Sequence, residues 1–169
     1  MPSVELWFYS PSASSSGWLN RVVSFMDPPY CHCELQFQDG MACCIYMGCA
    51  VNLKQRTFDP QYYHSVRVPC SSAQHNAMRR LAHQLTAEAV QFSTLNMTGA
   101  VMWGAPIGAD NTTFCSKLCA DLLLEASLLP ELVDSSKITP SCLCRMLAAH
   151  VPQGCPALGF RPSCAREII

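Results

Sequence analysis

The chain has 169 residues, of which 50% are hydrophobic and only 14% are charged, so one well-filled globular domain is expected and extensive disorder is not. A formal net charge of −1 argues against a nucleic-acid-binding protein, which would normally present a basic face. No apolar run reaches the roughly eighteen residues of a transmembrane helix, and the N-terminus lacks the cationic and apolar regions of a secretory signal.

The twelve cysteines admit two interpretations, a disulfide scaffold and a set of free thiols. The chain is too long and too apolar to need disulfides, and most of the cysteines fall at apolar positions, where a free thiol behaves as a small hydrophobic residue. A reducing, cytoplasmic environment is therefore expected. Because no Cys-x-x-Cys pair occurs, the metal signal is weak, and no metal or other cofactor is predicted.

The first half of the chain predicts mainly β-strands, with one short helix over residues 18–25. Asp39 and Gly40 form a strong hairpin signal between two of these strands. The predicted strands cover residues 4–9, the run from residue 31 to the hairpin, and residues 42–47, 49–53 and 65–68.

The second half predicts helices. Ser71 and Ser72 suit the start of a helix that runs to about Ala89, because serine hydroxyls satisfy the free N–H groups of a first turn. Thr139 suits the N-cap of a final helix, with Pro140 at the first helical position.

Two other segments predict irregular structure. Residues 92–113 contain several glycines and a proline, which favour a long loop, expected to lie over the candidate site described below. Residues 150–169 are rich in proline and predict an irregular tail after a domain of residues 1–149.

One predicted strand carries a histidine of interest. In residues 32–37 apolar and polar side chains alternate, which predicts a strand with one polar, solvated face. His32 and Glu34 project to this face, about 7 Å apart along the strand. An imidazole held on a rigid strand near a carboxylate suits proton transfer.

Cys115 lies where an irregular polar stretch becomes an amphipathic helix, with Leu118, Leu122 and Ala126 recurring at helical spacing. A thiol at a helix N-terminus faces unpaired N–H groups and the positive end of the macrodipole, which lower its pKa and favour the nucleophilic thiolate. With His32 as its partner, Cys115 would form the Cys–His arrangement of papain-like chemistry, with the histidine first along the chain.

Two motifs resemble the circularly permuted NlpC/P60 branch of the papain-like superfamily, in which the histidine strand precedes the cysteine helix. Residues 32–40, His-Cys-Glu-Leu-Gln-Phe-Gln-Asp-Gly, resemble the branch's His-x-Glu-Leu-x-Phe-x-Asp-Gly strand and hairpin. Residues 114–118, Phe-Cys-Ser-Lys-Leu, are similar to its aromatic-Cys-Ser-Glu-Leu motif, with Lys117 in place of the glutamate. With two weaker similarities, the ordered set spans roughly residues 4–148.

The resemblance implies an α+β fold, with a small, mainly antiparallel sheet packed against the nucleophile-bearing helix and two or three further helices. It implies a thiol hydrolase of amide or peptide bonds, with Cys115 as nucleophile, His32 as its proton-transfer partner and Glu34 orienting the imidazole. Many members of the branch carry a further acidic or polar residue on the return strand, where this chain offers only Tyr46. Glu34 is therefore the preferred third member, with Tyr46 and Gln36 as alternatives.

Two alternative functions stay open, because the branch also contains lipid-directed enzymes and inactive members. For a thioesterase, phospholipase or acyltransferase acting on an acyl lipid, the apolar stretch 95–107, with Met97, Met102 and Trp103, would form the acyl-facing wall. For an interaction module without chemistry, the missing return-strand acid is the supporting feature. The predicted partner is thus a peptide or amide substrate, or an acyl lipid.

Overall fold

The computed structural model describes residues 1–11, 28–103 and 111–150. The helix predicted over residues 18–25 and all but the first residue of the predicted 150–169 tail lie outside the described residues. The described chain is a mixed α+β structure with a five-stranded antiparallel sheet and four α-helices, which confirms the predicted fold class at that level.

The main sheet is built from β1 (Ser3–Tyr9), β2 (His32–Gln36), β3 (Met41–Cys44), β4 (Asn52–Gln55) and β5 (Tyr63–Pro69). Its strand order is β4-β3-β2-β1-β5, with every neighbouring pair antiparallel. Strand β2 is therefore central, and its first residue, His32, pairs with Tyr9. The predicted hairpin joins β2 to β3, where Gly40 adopts the left-handed φ of +82° that suits glycine.

The helices are α1 (Ser72–Ala87), α2 (Thr94–Trp103), α3 (Cys115–Glu125) and α4 (Pro140–His150), and a 3₁₀ turn covers Ser135–Lys137. Both predicted caps are present. The Ser71 hydroxyl accepts the N–H of Gln74 in a reciprocal capping box, and the Thr139 hydroxyl accepts the N–H of Cys142 at 3.2 Å. Helix α3 begins at Cys115, as the sequence predicted.

The prediction of a long loop over residues 92–113 is wrong, because α2 occupies much of this segment between the short strands β6 (Gln91–Phe92) and β7 (Thr112–Thr113). Of the predicted loop signals, only Gly99 falls within the helix, which tolerates it at a cost of roughly 1 kcal/mol relative to alanine. The Ser93 hydroxyl caps the helix by accepting the N–H of Asn96 at 3.0 Å. The other glycines and the proline lie in residues 104–110, outside the described part of the chain.

Two strand boundaries also differ from the prediction. The return strand of the hairpin ends at Cys44 and the next strand begins at Asn52, because a turn intervenes. In this turn the Cys49 N–H donates to the Tyr46 carbonyl at 2.9 Å, and Gly48 has a φ of +78°. Tyr46 therefore lies on a turn beside the sheet and not on the return strand itself.

Helix α3 packs against β2 and β3 and forms the centre of the core. Leu118, Leu122 and Leu123 on the helix belong to the same buried cluster as Leu35 of β2 and Met78 of α1. This packing holds the first residue of α3 beside the first residue of the central strand. Within the described residues, no helix is both long and apolar enough to cross a membrane.

The face of the sheet that carries Glu34 is covered, and the prediction of a solvated polar face is wrong. Trp7, the cross-strand partner of Glu34, stacks on Phe58 with ring centroids 4.7 Å apart, and the Arg56 guanidinium lies 5.2 Å from the Phe58 centroid. Glu34 has no solvent exposure, and the His32 side chain is 14% exposed. The two-residue period identified which side chains share a face, but it carried no information on the aromatic residues that cover it.

Replacing Ser116 should destabilise the start of α3. The buried Ser116 hydroxyl donates to the Ile138 carbonyl at 2.7 Å and ties the first turn of α3 to the segment before α4. We expect Ser116→Ala to lower the free energy of unfolding by about 1–3 kcal/mol in urea denaturation, because a buried carbonyl loses its donor. The exposed Ser72→Ala is the control and should change it by less than about 0.5 kcal/mol. Equal effects of the two substitutions would contradict this role for Ser116.

Candidate active site

Cys115 is held at the N-terminus of α3 with 3% of its surface exposed. The preceding Phe114 is extended and makes no side-chain cap hydrogen bond. Strand β7, which leads into the helix, pairs in parallel with β6, and the Ser93 N–H donates to the Thr113 carbonyl at 2.8 Å. The sulfur is therefore fixed at a helix terminus, where unpaired N–H groups favour a thiolate.

His32 meets the Cys115 sulfur from the first position of β2. The imidazole and the Cys115 side chain line the same cavity, and the imidazole stacks on Tyr46, with ring centroids 5.0 Å apart. Its Nε2 lies 3.3 Å from Oε1 of Glu34, which leaves Nδ1 as the nitrogen available to Cys115. The imidazole therefore bridges the thiol and the carboxylate.

The Glu34 carboxylate is fully buried and surrounded by donors. The Tyr46 hydroxyl donates to Oε1 at 2.5 Å, and the Arg56 guanidinium donates to the two oxygens at 3.1 and 3.3 Å. Burial alone would raise the pKa of Glu34, but the hydrogen bond and charge of His32, the Tyr46 hydroxyl and the charge of Arg56 outweigh burial and lower this pKa. Glu34 is therefore a carboxylate at neutral pH and favours the protonated imidazole.

The pKa values of His32 and Cys115 move in opposite directions. Burial disfavours the imidazolium, but attraction to the Cys115 thiolate and hydrogen bonds to Cys115 and Glu34 raise the pKa of His32 to about 10. For Cys115, a hydrogen bond from Cys33 and the charge of His32 outweigh burial and hold the thiol pKa well below its ordinary range. These opposite shifts favour a thiolate–imidazolium ion pair over two neutral side chains.

Cys33 is a neighbour of the nucleophile that the sequence analysis did not single out. It is buried next to His32 on β2, in the same core cluster as Cys115 and Cys119. Burial, hydrogen bonding and the nearby thiols raise the pKa of Cys33 well above its ordinary value, so this thiol stays protonated. The alternating pattern identified Cys33 only as a core residue. None of the ten cysteines in the described part of the chain forms a disulfide bond.

A cavity of about 230 Å³ opens onto the Cys115–His32 pair. Aromatic and apolar side chains dominate its wall, which suits an uncharged substrate group. Besides the ion pair, the cavity is lined by Tyr9, Cys31, Ile45, Tyr46, Met47, Tyr63, Phe92 and Met97.

The structure brings the three predicted site residues, Cys115, His32 and Glu34, into one contiguous arrangement. The two alternatives for the third member occupy other positions. Tyr46 reaches the imidazole through ring stacking, while its hydroxyl donates to Glu34. Gln36 accepts an indole N–H and donates to two backbone carbonyls, so its amide is engaged away from the imidazole.

Arg56 is a site residue that sequence reasoning missed. It immediately follows β4 and reaches Glu34 on β2, two strands away in the sheet. The sequence around Arg56 carries no motif, so only the strand order could have identified this pairing.

Comparisons of the chain with family models, with curated proteins and with solved structures find no match. Among residues 1–11, 28–103 and 111–150, no group of three or more histidine, cysteine or acidic side chains could hold a metal ion. The case for a function therefore depends on the geometry of the site.

Cys115 should be the thiol that iodoacetamide alkylates fastest below about pH 7. Because its pKa is held well below the ordinary range, its rate should change little between about pH 8 and 6, whereas an ordinary thiol becomes nearly tenfold slower per unit. Mass mapping after limiting iodoacetamide would identify the labelled residue. Cys49 is the reference for accessibility because it is exposed. Preferential labelling of Cys49, with Cys115 protected, would contradict the assignment.

Proposed function

We propose that this protein is a thiol hydrolase that cleaves amide or peptide bonds through an acyl-enzyme on Cys115, on a permuted papain-like (NlpC/P60) scaffold. One observation carries the proposal: buried Glu34 holds the His32 imidazole against a thiol at a helix N-terminus, where a cavity reaches both groups. The order along the chain, with the histidine strand before the cysteine helix, supports the permuted scaffold.

Acylation begins with attack of the Cys115 thiolate on the substrate carbonyl carbon, and the carbonyl oxygen takes up the electron pair. The His32 imidazolium then donates its proton to the leaving nitrogen, the C–N bond breaks, and a thioester remains on Cys115. The Cys115 N–H at the start of α3, with a donor from residues 111–114, would stabilise the oxyanion. Glu34 orients the imidazole while its own position is held by Arg56 and Tyr46.

Deacylation uses the same groups in the opposite protonation states. Neutral His32 takes a proton from water as the water oxygen attacks the thioester carbon. The C–S bond breaks, the carboxylic acid departs, and the Cys115 thiolate is restored beside the His32 imidazolium. The raised pKa of His32 favours this final state.

An acyl-lipid substrate is the second candidate, because α2 combines a cavity-lining residue with exposed apolar residues. Met97 lines the cavity, while Leu95, Met102 and Trp103 on the same helix are 60%, 49% and 63% exposed. A thioesterase, phospholipase or acyltransferase would use the same nucleophile and would place the acyl chain against this apolar wall.

The interaction-module alternative is the less favoured one, because another strand can supply the acid that the return strand lacks. Glu34 on β2 is a buried carboxylate paired with Arg56. A buried, fully hydrogen-bonded carboxylate behind an imidazole is the arrangement that proton transfer needs.

Substitutions at the three residues test the proposal against panels of fluorogenic peptide amides and fatty-acyl thioesters. Cys115→Ala and His32→Ala should each lower kcat/KM at least about a thousandfold, since members of one catalytic unit fail together. Glu34→Gln should cost less if the residue only orients the imidazole. Cys119→Ala, a buried thiol one turn later, is the control and should retain turnover.

Unfolding transitions of each variant should be measured in parallel, because His32 and Glu34 are more buried than the sequence pattern indicated. Turnover confined to the peptide amides supports the first candidate, and turnover confined to the thioesters supports the second. Retained turnover in folded Cys115→Ala would remove the proposed nucleophile.

A further inference from the structure

The Tyr46 hydroxyl and the His32 imidazole meet the same oxygen of Glu34. The hydroxyl donates to Oε1 at 2.5 Å, the Arg56 guanidinium reaches this atom at 3.1 Å, and Nε2 of His32 lies 3.3 Å from it. The other oxygen, Oε2, accepts from Nε of Arg56 at 3.3 Å. Three groups therefore share one carboxylate oxygen, and the phenol makes the shortest of the three contacts.

We propose that Tyr46 is a positioning residue whose hydroxyl, by donating to Glu34, weakens the hold of this carboxylate on the His32 imidazolium and so lets the imidazolium release its proton. The inference rests on the proposed function, because it assigns a role within the same site. It goes beyond the anchoring of Glu34, since it gives the phenol control over proton transfer.

A carboxylate beside the imidazole has two opposite effects on acylation. It orients the ring and favours the protonated form, but the same attraction makes the imidazolium a weaker acid. Cleavage of an amide needs that acid. The proton on Nδ1 of His32 passes to the leaving nitrogen as the C–N bond breaks, and a neutral imidazole remains. A donor that shares the charge of Oε1 therefore makes this proton easier to release.

Tyr46 can act as a lasting donor because its own proton is held. Burial, the hydrogen bond to Glu34 and the charge of that carboxylate raise the pKa of the phenol, so it stays protonated at neutral pH. The ring stacks on the imidazole with centroids 5.0 Å apart, and Nζ of Lys54 lies 4.9 Å from its centroid. These contacts hold the ring, and the hydroxyl with it, beside Oε1.

Other charged and titratable groups act on the Glu34–His32 pair, and the test must hold them constant. Cys115 is the one on α3, so the imidazole is titrated in a Cys115→Ala background. The rest are unchanged by a substitution that removes only the Tyr46 hydroxyl. They line the cavity or act on Glu34, and they are Tyr9, Cys31, Cys44, Lys54, Arg56 and Tyr63.

The first measurement is an NMR titration of the His32 imidazole nitrogens in Cys115→Ala and in the double variant Cys115→Ala/Tyr46→Phe. Phenylalanine keeps the ring that stacks on the imidazole and removes the donor. The midpoint should rise by about one pH unit in the double variant, because fewer donors then share the charge of Glu34.

The second measurement uses the full chain with Cys115 intact and compares two leaving groups on one acyl group, a peptide amide and the matching peptidyl thioester. Tyr46→Phe should lower kcat/KM for the amide about tenfold, because the amine departs only with a proton from His32. For the thioester, kcat/KM should change by less than about twofold, since a thiolate can depart without that proton.

The matched control is Tyr30→Phe, which removes another buried tyrosine hydroxyl. The Tyr30 ring packs against Phe8 with centroids 5.4 Å apart, and its backbone N–H donates to the Ser141 hydroxyl. This substitution should change neither the midpoint nor the ratio of amide to thioester turnover. The variant Tyr46→3-fluorotyrosine makes the hydroxyl a stronger donor and should shift both readouts in the opposite direction, which a packing effect would not do. It also carries the test if Tyr46→Phe does not fold.

A raised midpoint in Tyr46→Phe, with a loss confined to the amide and neither effect in Tyr30→Phe, supports the inference. An unchanged or lowered midpoint, or equal losses for the two leaving groups, would overturn the role of Tyr46 and leave the proposed function intact. Failure of the wild type to cleave any peptide amide would remove the proposed function, and the role of Tyr46 in proton transfer with it.

Discussion

The arrangement of the site depends on Glu34, a carboxylate on the central strand that is fully buried. An ionised group without solvent is costly unless it is paired and hydrogen-bonded, and Glu34 meets this requirement through three residues from three segments. Arg56 follows β4, Tyr46 lies on the turn after β3, and His32 opens β2. Satisfying Glu34 therefore fixes the orientation of the imidazole before any substrate is present.

The orientation of the His32 imidazole determines which ring nitrogen can interact with Cys115. Because Nε2 faces Glu34, Nδ1 is the ring nitrogen left for Cys115, whose sulfur lies where the helix N-terminus already favours a thiolate. The fold brings these groups together by placing the N-terminus of α3 against the first residues of the central strand.

Local sequence signals predicted the features that depend on neighbouring residues. The start of α3 at Cys115, the hairpin at Gly40 and the cap at Ser71 each follow from a few adjacent side chains and backbone preferences. The same signals failed for residues 92–113, where Gly99 was taken as a loop residue although the uncharged segment around it forms a helix. A single glycine costs a helix little when packing and a cap compensate.

Contacts between distant segments could not be predicted in this way. The alternation in β2 showed that His32 and Glu34 share a face, but the cover provided by Trp7 and Phe58 depends on strand order and on a loop after β4. Arg56 is identified as the partner of Glu34 only once that order is known. For the same reason the face was predicted to be solvated, and the depth at which the site lies was missed.

The most direct test of the central claim is an NMR titration of the His32 imidazole nitrogens in the wild type and in Cys115→Ala. If the imidazole is paired with a thiolate and a buried carboxylate, its nitrogens should stay protonated through neutral pH and titrate near pH 10 in the wild type. In Cys115→Ala the midpoint should fall, because the thiolate is the main favourable influence on the imidazolium. A wild-type midpoint near the ordinary value of about 6.5, unchanged by Cys115→Ala, would contradict the ion pair and the mechanism built on it.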